Sequence, residues 1–358
     1  MGTLSVSLTD APACGYDHVN VTVQKVRINT SATAADTDSG WTDITLAPAQ
    51  RFDLLALSNG VLASLGQTPL AAGHYAQMEL VLAANDASNP LANSVVPSGG
   101  AEQALKTPSA QQSGLKLNVD ITVMANQIAD VVLDFNACRS VVSAGNSGQY
   151  LLKPVIAVTP NFISGVSGYV DSSVANGNTL VTVQQAGMVV KATAPDSTGK
   201  FLLEPVAPGS YDLVVTAAGR APTVITGVQV TASTVTTLTA SATPLTLSTA
   251  ADGTAAGTVT TTSAPILASV GATQALSNGD VIDEGDASAD SVSGAYSLTL
   301  SAVAPNVAAY GAGLTSYAPM PDTGAGSRYT LTANSGGVAK TAAITIAPNT
   351  TVTTNFSF

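Results

Sequence analysis

Five carboxylates fall within eleven residues, at Asp280, Asp283, Glu284, Asp286 and Asp290. Calcium takes about six to eight oxygen ligands from a flexible loop, so this run is the chain's strongest candidate for a site. Its spacing is not that of a helix-loop-helix calcium loop, and a solvated acidic loop has the same composition. A structural calcium is the one cofactor the sequence leaves room for. A second candidate is aromatic. Trp41, Tyr310 and Tyr317 stand in or beside expected loops, and ring faces of this kind stack on sugars. The plainer alternatives are a core anchor at a strand start for Trp41 and ordinary loop packing for the two tyrosines.

Groups for catalysis are sparse. A serine or cysteine nucleophile needs a base beside it. The chain has two histidines, His18 and His74, and no serine sits in a Gly-x-Ser-x-Gly turn. Glu79, Glu102, Glu204 and Glu284 are scattered over unrelated segments, a poor basis for a carboxylate pair. No glycine-rich loop enters a helix to cradle a phosphate. The expectation is a protein that is not an enzyme.

Cys14 and Cys138 are the two cysteines. In an exported protein a lone pair forms a disulfide, here tying the first strand region to the end of the first module. Two buried free thiols are the alternative, and the absence of a neighbouring histidine argues against zinc.

The elements that must position these residues are strands. Hydrophobic residues make up 45% of the chain and charged ones only 10%, so each module has a core to bury but few helix-building charges. The clearest signal is residues 199–219, GKFLLEPVAPGSYDLVVTAAG, which alternate apolar and polar on both sides of a Pro-Gly turn. That is a hairpin with one face on a core. Leu4, Val6 and Leu8 alternate likewise. The valines at 19, 21 and 23 change parity before Val26 and Ile28, which predicts a bulge near Gln24-Lys25. Residues 85–114 read as a long polar loop, a presenting surface.

The net charge is −11 with no basic segment, which excludes a phosphate-neutralising nucleic-acid footprint and attraction to an anionic membrane. No run of about 18 apolar residues exists to span a bilayer. Met1-Gly2 leads straight into a strand, and we read it as a trimmed start whose targeting segment has been removed.

Three families of motif then take shape. Leu8-Thr9-Asp10-Ala11-Pro12, Gly40-Trp41, Phe52-Asp53-Leu54-Leu55-Ala56-Leu57-Ser58-Asn59-Gly60 and the stretch from Leu70 to Leu80 come first. Asp134-Phe135 and Lys153-Pro154-Val155 close the set. Together they resemble the domain of unknown function 4382 of bacterial and archaeal surface lipoproteins. The resemblance implies a β-sandwich on an exported, often lipid-anchored protein, and no activity. The lipid-bearing cysteine that would precede the domain is not in this sequence. Residues 163–244, with Asp196-Ser197-Thr198-Gly199 and Pro205-Val206-Ala207-Pro208-Gly209 as turns, resemble the carboxypeptidase regulatory-like domain, a transthyretin-like, non-catalytic sandwich. Residues 245–358 read as a degenerate, insertion-bearing relative of the second module, with insertions at 263–293 and 302–327.

The expected fold is therefore all-β: three tandem β-sandwiches, Ig-like or transthyretin-like, over 3–162, 163–244 and 245–358, in an extended arrangement. The expected role is a cell-surface or secreted scaffold or adhesion protein with a protein or polysaccharide partner. One alternative is a glycan- or polymer-binding module using Tyr310 and Tyr317. Another is a filament subunit that self-associates by pairing edge strands, with 3–8 and 350–358 as candidates.

Overall fold

The computed structural model describes residues 1–358 apart from 11–14, 108–113, 146–147 and 162. The chain divides into two compact units. One is Met1–Val141 with Asn146–Asn161, the other Val142–Gly145 with Phe162–Phe358. Both are built almost wholly of strands.

The first unit contains β1 (Gly2–Asp10), β2 (Tyr16–Asn29), β3 (Thr42–Asp53), β4 (Ala63–Leu70), β5 (Gly73–Leu82), β6 (Ser94–Pro97), β7 (Gln103–Lys106), β8 (Leu115–Val123) and β9 (Ile128–Phe135). β10 (Val141–Ser143) straddles the residue boundary between the units, and β11 (Tyr150–Leu152) and β12 (Ile156–Pro160) complete the set. One sheet runs β12-β9-β1-β4; the other includes β11-β7-β6-β2-β5-β8, with β3 also on β2. Leu4, Val6 and Leu8 from one sheet meet Val19, Val21 and Val23 from the other, with Leu133 and Phe135 beside them. Strict alternation puts every second side chain on that face, and each buried Leu or Val contributes about 1.5–3 kcal/mol. The pairing of β2 slips between Val23 and Lys25 and leaves Gln24 without a partner, which is the bulge the parity change predicts.

Two expectations change here. β1 pairs antiparallel with β4 and parallel with β9 along its length. A strand flanked on both sides has no free row of N–H and C=O groups, so residues 3–8 are not an assembly edge. Residues 85–114 are not one open loop, because β6 and β7 lie within them and extend the sheet.

The second unit holds two sandwiches. The first is β13 (Gly165–Tyr169), β14 (Leu180–Gln185), β15 (Met188–Thr193), β16 (Lys200–Leu203), β17 (Gly209–Thr216), β18 (Thr223–Val230) and β19 (Val235–Thr237). The second begins with β20 (Asp252–Thr260), β21 (Ala268–Ala275), β22 (Val281–Ser288), β23 (Ala295–Ser301), β24 (Asn306–Ala309) and β25 (Met320–Pro321). It ends with β26 (Arg328–Ser335), β27 (Val338–Thr345), β28 (Thr351–Thr353) and β29 (Phe356–Ser357). In the first sandwich β13 lies between antiparallel β16 and parallel β19, and the second sheet contains β15-β14-β17-β18. In the second, β20 lies between antiparallel β23 and parallel β28, and the facing sheet runs β22-β21-β26-β27. The two share one pairing scheme, and each has its own core, around Phe201 and Leu213 and around Tyr296 and Leu331.

What differs is the insertion. β24 leaves the second sandwich and pairs in parallel with β18 of the first, so the first sandwich's sheet continues through β24 to β25. A small cluster of Val214, Val224, Leu276, Ile282 and Ala325 joins side chains of both. Leu245 and Leu247 belong to the first sandwich's core. The contacts therefore group residues 163–358 as one compact unit with two cores, where the sequence reading divides them at 244/245. A strand added from one sandwich to the other's sheet is invisible to a reading based on local alternation.

Candidate functional site

The acidic run is not a loop but mostly a strand. Asp280 sits in the turn before β22, where its carboxylate accepts from the Asn278 side-chain amide at 2.6 Å. Asp283, Glu284 and Asp286 lie on β22, and Asp290 follows it. Alternation along a strand sends neighbours to opposite faces. Among the described residues no group of three or more acidic, histidine or cysteine side chains converges as a metal cage would require.

Asp290 has a backbone role. Its Oδ1 accepts from the backbone N–H groups of Val292 and Ser293 and from the Ser293 hydroxyl, at 2.7–3.1 Å. Its Oδ2 accepts from Gly145 N at 2.6 Å. Burial alone would raise its pKa; these donors outweigh it and hold the carboxyl at about 2. Asp196 does the same work in the first sandwich, accepting from Thr198 N, the Thr198 hydroxyl and Lys200 N. The two aspartates are counterparts, each shaping the turn that enters β16 or β23.

Glu284 stands apart. β21 and β22 pair Ala272 with Gly285 and Thr273 with Asp283, so Glu284 is the extra residue of a bulge. A bulge re-aims one side chain out of the pleat, and Gly285 with φ +132° allows it here. The carboxyl turns toward Tyr329, whose hydroxyl donates to Ser301 O at 2.8 Å and lies 3.4 Å from Glu284 Oε2. Oε1 is buried without a hydrogen-bond partner. Burial, reinforced by the charge of Asp283, pushes the Glu284 pKa up to about 8 against the pull of the Tyr329 hydrogen bond.

Glu284 lines a cleft of about 140 Å³ between the two sandwiches of the second unit, with Asn178, Arg220, Asp252, Thr299 and Ser301. Its charged groups are engaged with the chain itself. Arg220 Nη1 donates to Leu247 O at 3.1 Å, and Nη2 to Ser173 Oγ at 3.3 Å. Asp252 Oδ2 accepts from Gly219 N at 2.6 Å. The Arg220 guanidinium and the Asp252 carboxylate are thus committed to the chain, while the Glu284 carboxyl keeps one oxygen without a partner.

Tyr310 and Tyr317 are half-buried against the first sandwich's core, beside Ala308 of β24. Tyr310 N donates to Thr226 O, which continues the β24 pairing. The rings thus cap a core edge. Trp41 is half-buried; its Nε1 donates to Ala35 O at 2.9 Å and Arg27 lies 4.7 Å from the ring centre.

Trp41 belongs to a polar layer in the first unit that the sequence reading misses. The loop after β2 covers the second face of β2, β5 and β8, and Glu79 beneath it is 1% exposed. Burial and the Asp36 charge raise the Glu79 pKa, while Arg27 at 3.5 Å and Lys116 at 3.9 Å oppose them. Elsewhere on the same sheet, Asn93 donates to Ala83 O and accepts from Thr22 N, fixing the chain before β6. The sequence signal is the small polar set Asn20, Thr22 and Asn29 between the core valines. Replacing Asn93 with alanine leaves buried backbone groups unmatched and should cost about 1–3 kcal/mol. Trp41 fluorescence during denaturation measures it; no shift of the midpoint would show that other contacts hold this loop.

His18 Nδ1 is 2.6 Å from Asp53 Oδ2 and His74 Nε2 is 2.8 Å from Asp120 Oδ1, both exposed pairs. The Asp53 hydrogen bond, with the Asp53 charge, raises the His18 pKa. Cys138 carries no free thiol, and Cys14 lies outside the described residues.

Residues 1–154 match the family model described as Domain of unknown function (DUF4382). No curated protein matches. Among solved structures, BcpA, the major pilin subunit of Bacillus cereus, aligns over 99% of this chain and 99% of its own at 12% identity, with TM-score 0.18. An interface mutant of a type II cohesin-X-dockerin complex from Acetivibrio cellulolyticus aligns at 31% identity over 24% of this chain and 58% of that one, with TM-score 0.20. Scores this low carry no argument about this chain.

Proposed function

We propose that this chain is a non-enzymatic scaffold or adhesion protein of the cell surface or extracellular space, built of β-sandwich modules. One observation carries the reading. The same seven-strand pairing scheme occurs twice in the second unit, and Asp252 and Arg220 in the cleft between the copies bond the chain's own backbone. Side chains used this way hold modules and loops in place. We assign residues 163–244 to a carboxypeptidase regulatory-like domain on their Asp196–Gly199 and Pro205–Gly209 turns. We assign a disulfide between Cys14 and Cys138, the bond a lone cysteine pair forms in an exported chain. The partner molecule is a protein or polysaccharide outside the cell, and no cofactor is assigned.

Three measurements test the reading. Protease added to intact cells carrying the full gene should cleave the chain; protection until lysis would overturn the surface assignment. Arrays of glycans and extracellular proteins should show saturable binding without turnover, and product release would overturn the non-enzymatic assignment. The non-reduced chain should be lighter than the reduced chain by two hydrogens; full reaction with a thiol reagent under native conditions would remove the disulfide.

A further inference from the structure

β27 ends its sheet, beyond β26. Its counterpart in the first sandwich is β18, and there the outer edge is occupied: β24 pairs with it in parallel from Thr223↔Asn306 to Thr226↔Ala309. The shared pairing scheme sets the correspondence. Core residue Val181 faces Val215 and core residue Ala268 faces Ser335, and Val215 and Ser335 then pair with Thr223 and Val338 as the next strands open. Residues 338–341 are thus the counterparts of 223–226. Thr223, Val224 and Ile225 are 0% exposed, whereas Val338 is 54% exposed and residues 339–341 are exposed with it.

A long edge without proline presents unpaired N–H and C=O groups to any extended segment. Lys340 would guard such an edge if it faced an incoming strand. Instead its Nζ donates to Ser357 O and lies 5.4 Å from the centre of the Phe358 ring, turned onto its own sandwich. Ala342 and Ile344 also pack inward on the core.

We propose that β27 is an acceptor edge for one extended strand, added in parallel by the insertion of a further sandwich of this same type. β24 shows the chemistry of the donor: small apolar residues alternate, so that Ala308 completes one core and Val307 the cluster on the other face. A second copy of this chain is not the occupant, because its β24 is already paired with its own β18. The inference rests on the modular reading above. Its test reads β27 alone, so it fails separately from the surface and binding tests.

The test extends the full chain after Phe358 by a Gly/Ser linker of about ten residues, with a reach of roughly 17 Å, followed by a copy of residues 303–312. Phe358 already lies against Lys340, so the tether delivers the donor to the edge. Amide exchange at 338–341 should slow about tenfold or more relative to the unextended chain. A matched donor with prolines at the counterparts of Val307 and Ala309 should give no slowing. Equal exchange with both donors overturns the proposal. Protection of 338–341 in the unextended chain that rises with protein concentration also overturns it, since β27 then pairs with another copy.

Discussion

Replacing Gly294 with alanine should destabilise the second unit by about 3–5 kcal/mol, with Gly199→Ala close behind. Both glycines end the aspartate turns described above, with φ +69° and +86°. A Cβ on Gly294 would lie 2.0 Å from Val259 O, and one on Gly199 would lie 2.2 Å from Val170 O. Each atom it meets is backbone, so no side chain can swing away. The same glycines accept the N–H of those strand residues, Val259 at 2.8 Å and Val170 at 2.9 Å. Relief of the clash therefore breaks the bond that starts the β20–β23 or β13–β16 pair. Gly219→Ala is the control: its φ is +70° but nothing stands within 4 Å of its Cβ, so it should cost only about 1 kcal/mol. Denaturant midpoints for the second unit, read by hydrogen exchange, decide the matter. Trp41, the one tryptophan, reports the first unit and should not change. Equal losses for Gly294→Ala and Gly219→Ala would show that the turn relaxes freely.

Glu284→Gln should stabilise the second unit at pH 7–8 and change little at pH 4. The folded carboxyl titrates near 8, far above the unfolded value of about 4.3. Between those pH values the folded chain holds a proton that the unfolded chain releases, so stability is fully present below about pH 4.3 and falls as pH rises toward 8. At pH 7 the upper bound of this loss is about 4 kcal/mol. Glutamine is neutral throughout and removes the slope, but its amide needs a partner where Oε1 has none, so a gain of about 1–3 kcal/mol is expected. Melts of both proteins from pH 4 to 9 check it. Parallel pH profiles would show that Glu284 ionises freely in the folded chain.

Much of this architecture was legible. The alternation of Leu4, Val6 and Leu8 places one face of β1 on the core, because a strand has a side-chain period of two. The parity change at Gln24 requires an extra residue, and the structure has it. The candidate sites were less legible. Asp290 and Asp196 shape corresponding turns, yet one lies in an acidic run whose composition suggests a metal. Which carboxylates converge depends on strand direction, and composition does not carry that.

The sequence by itself determined the all-β class, the positions of most strands and which face of each is apolar, since these follow from local periodicity and turn residues. Tertiary structure alone decided which edges are paired. It put β1 in the centre of its sheet, drew β6 and β7 out of a polar stretch and placed β24 on the edge of another sandwich. It also turned Glu284 out of the pleat through a one-residue bulge. Each of these depends on a backbone hydrogen-bond partner distant in the chain. The backbone is the same at every residue, so no side-chain pattern announces the partner it will meet.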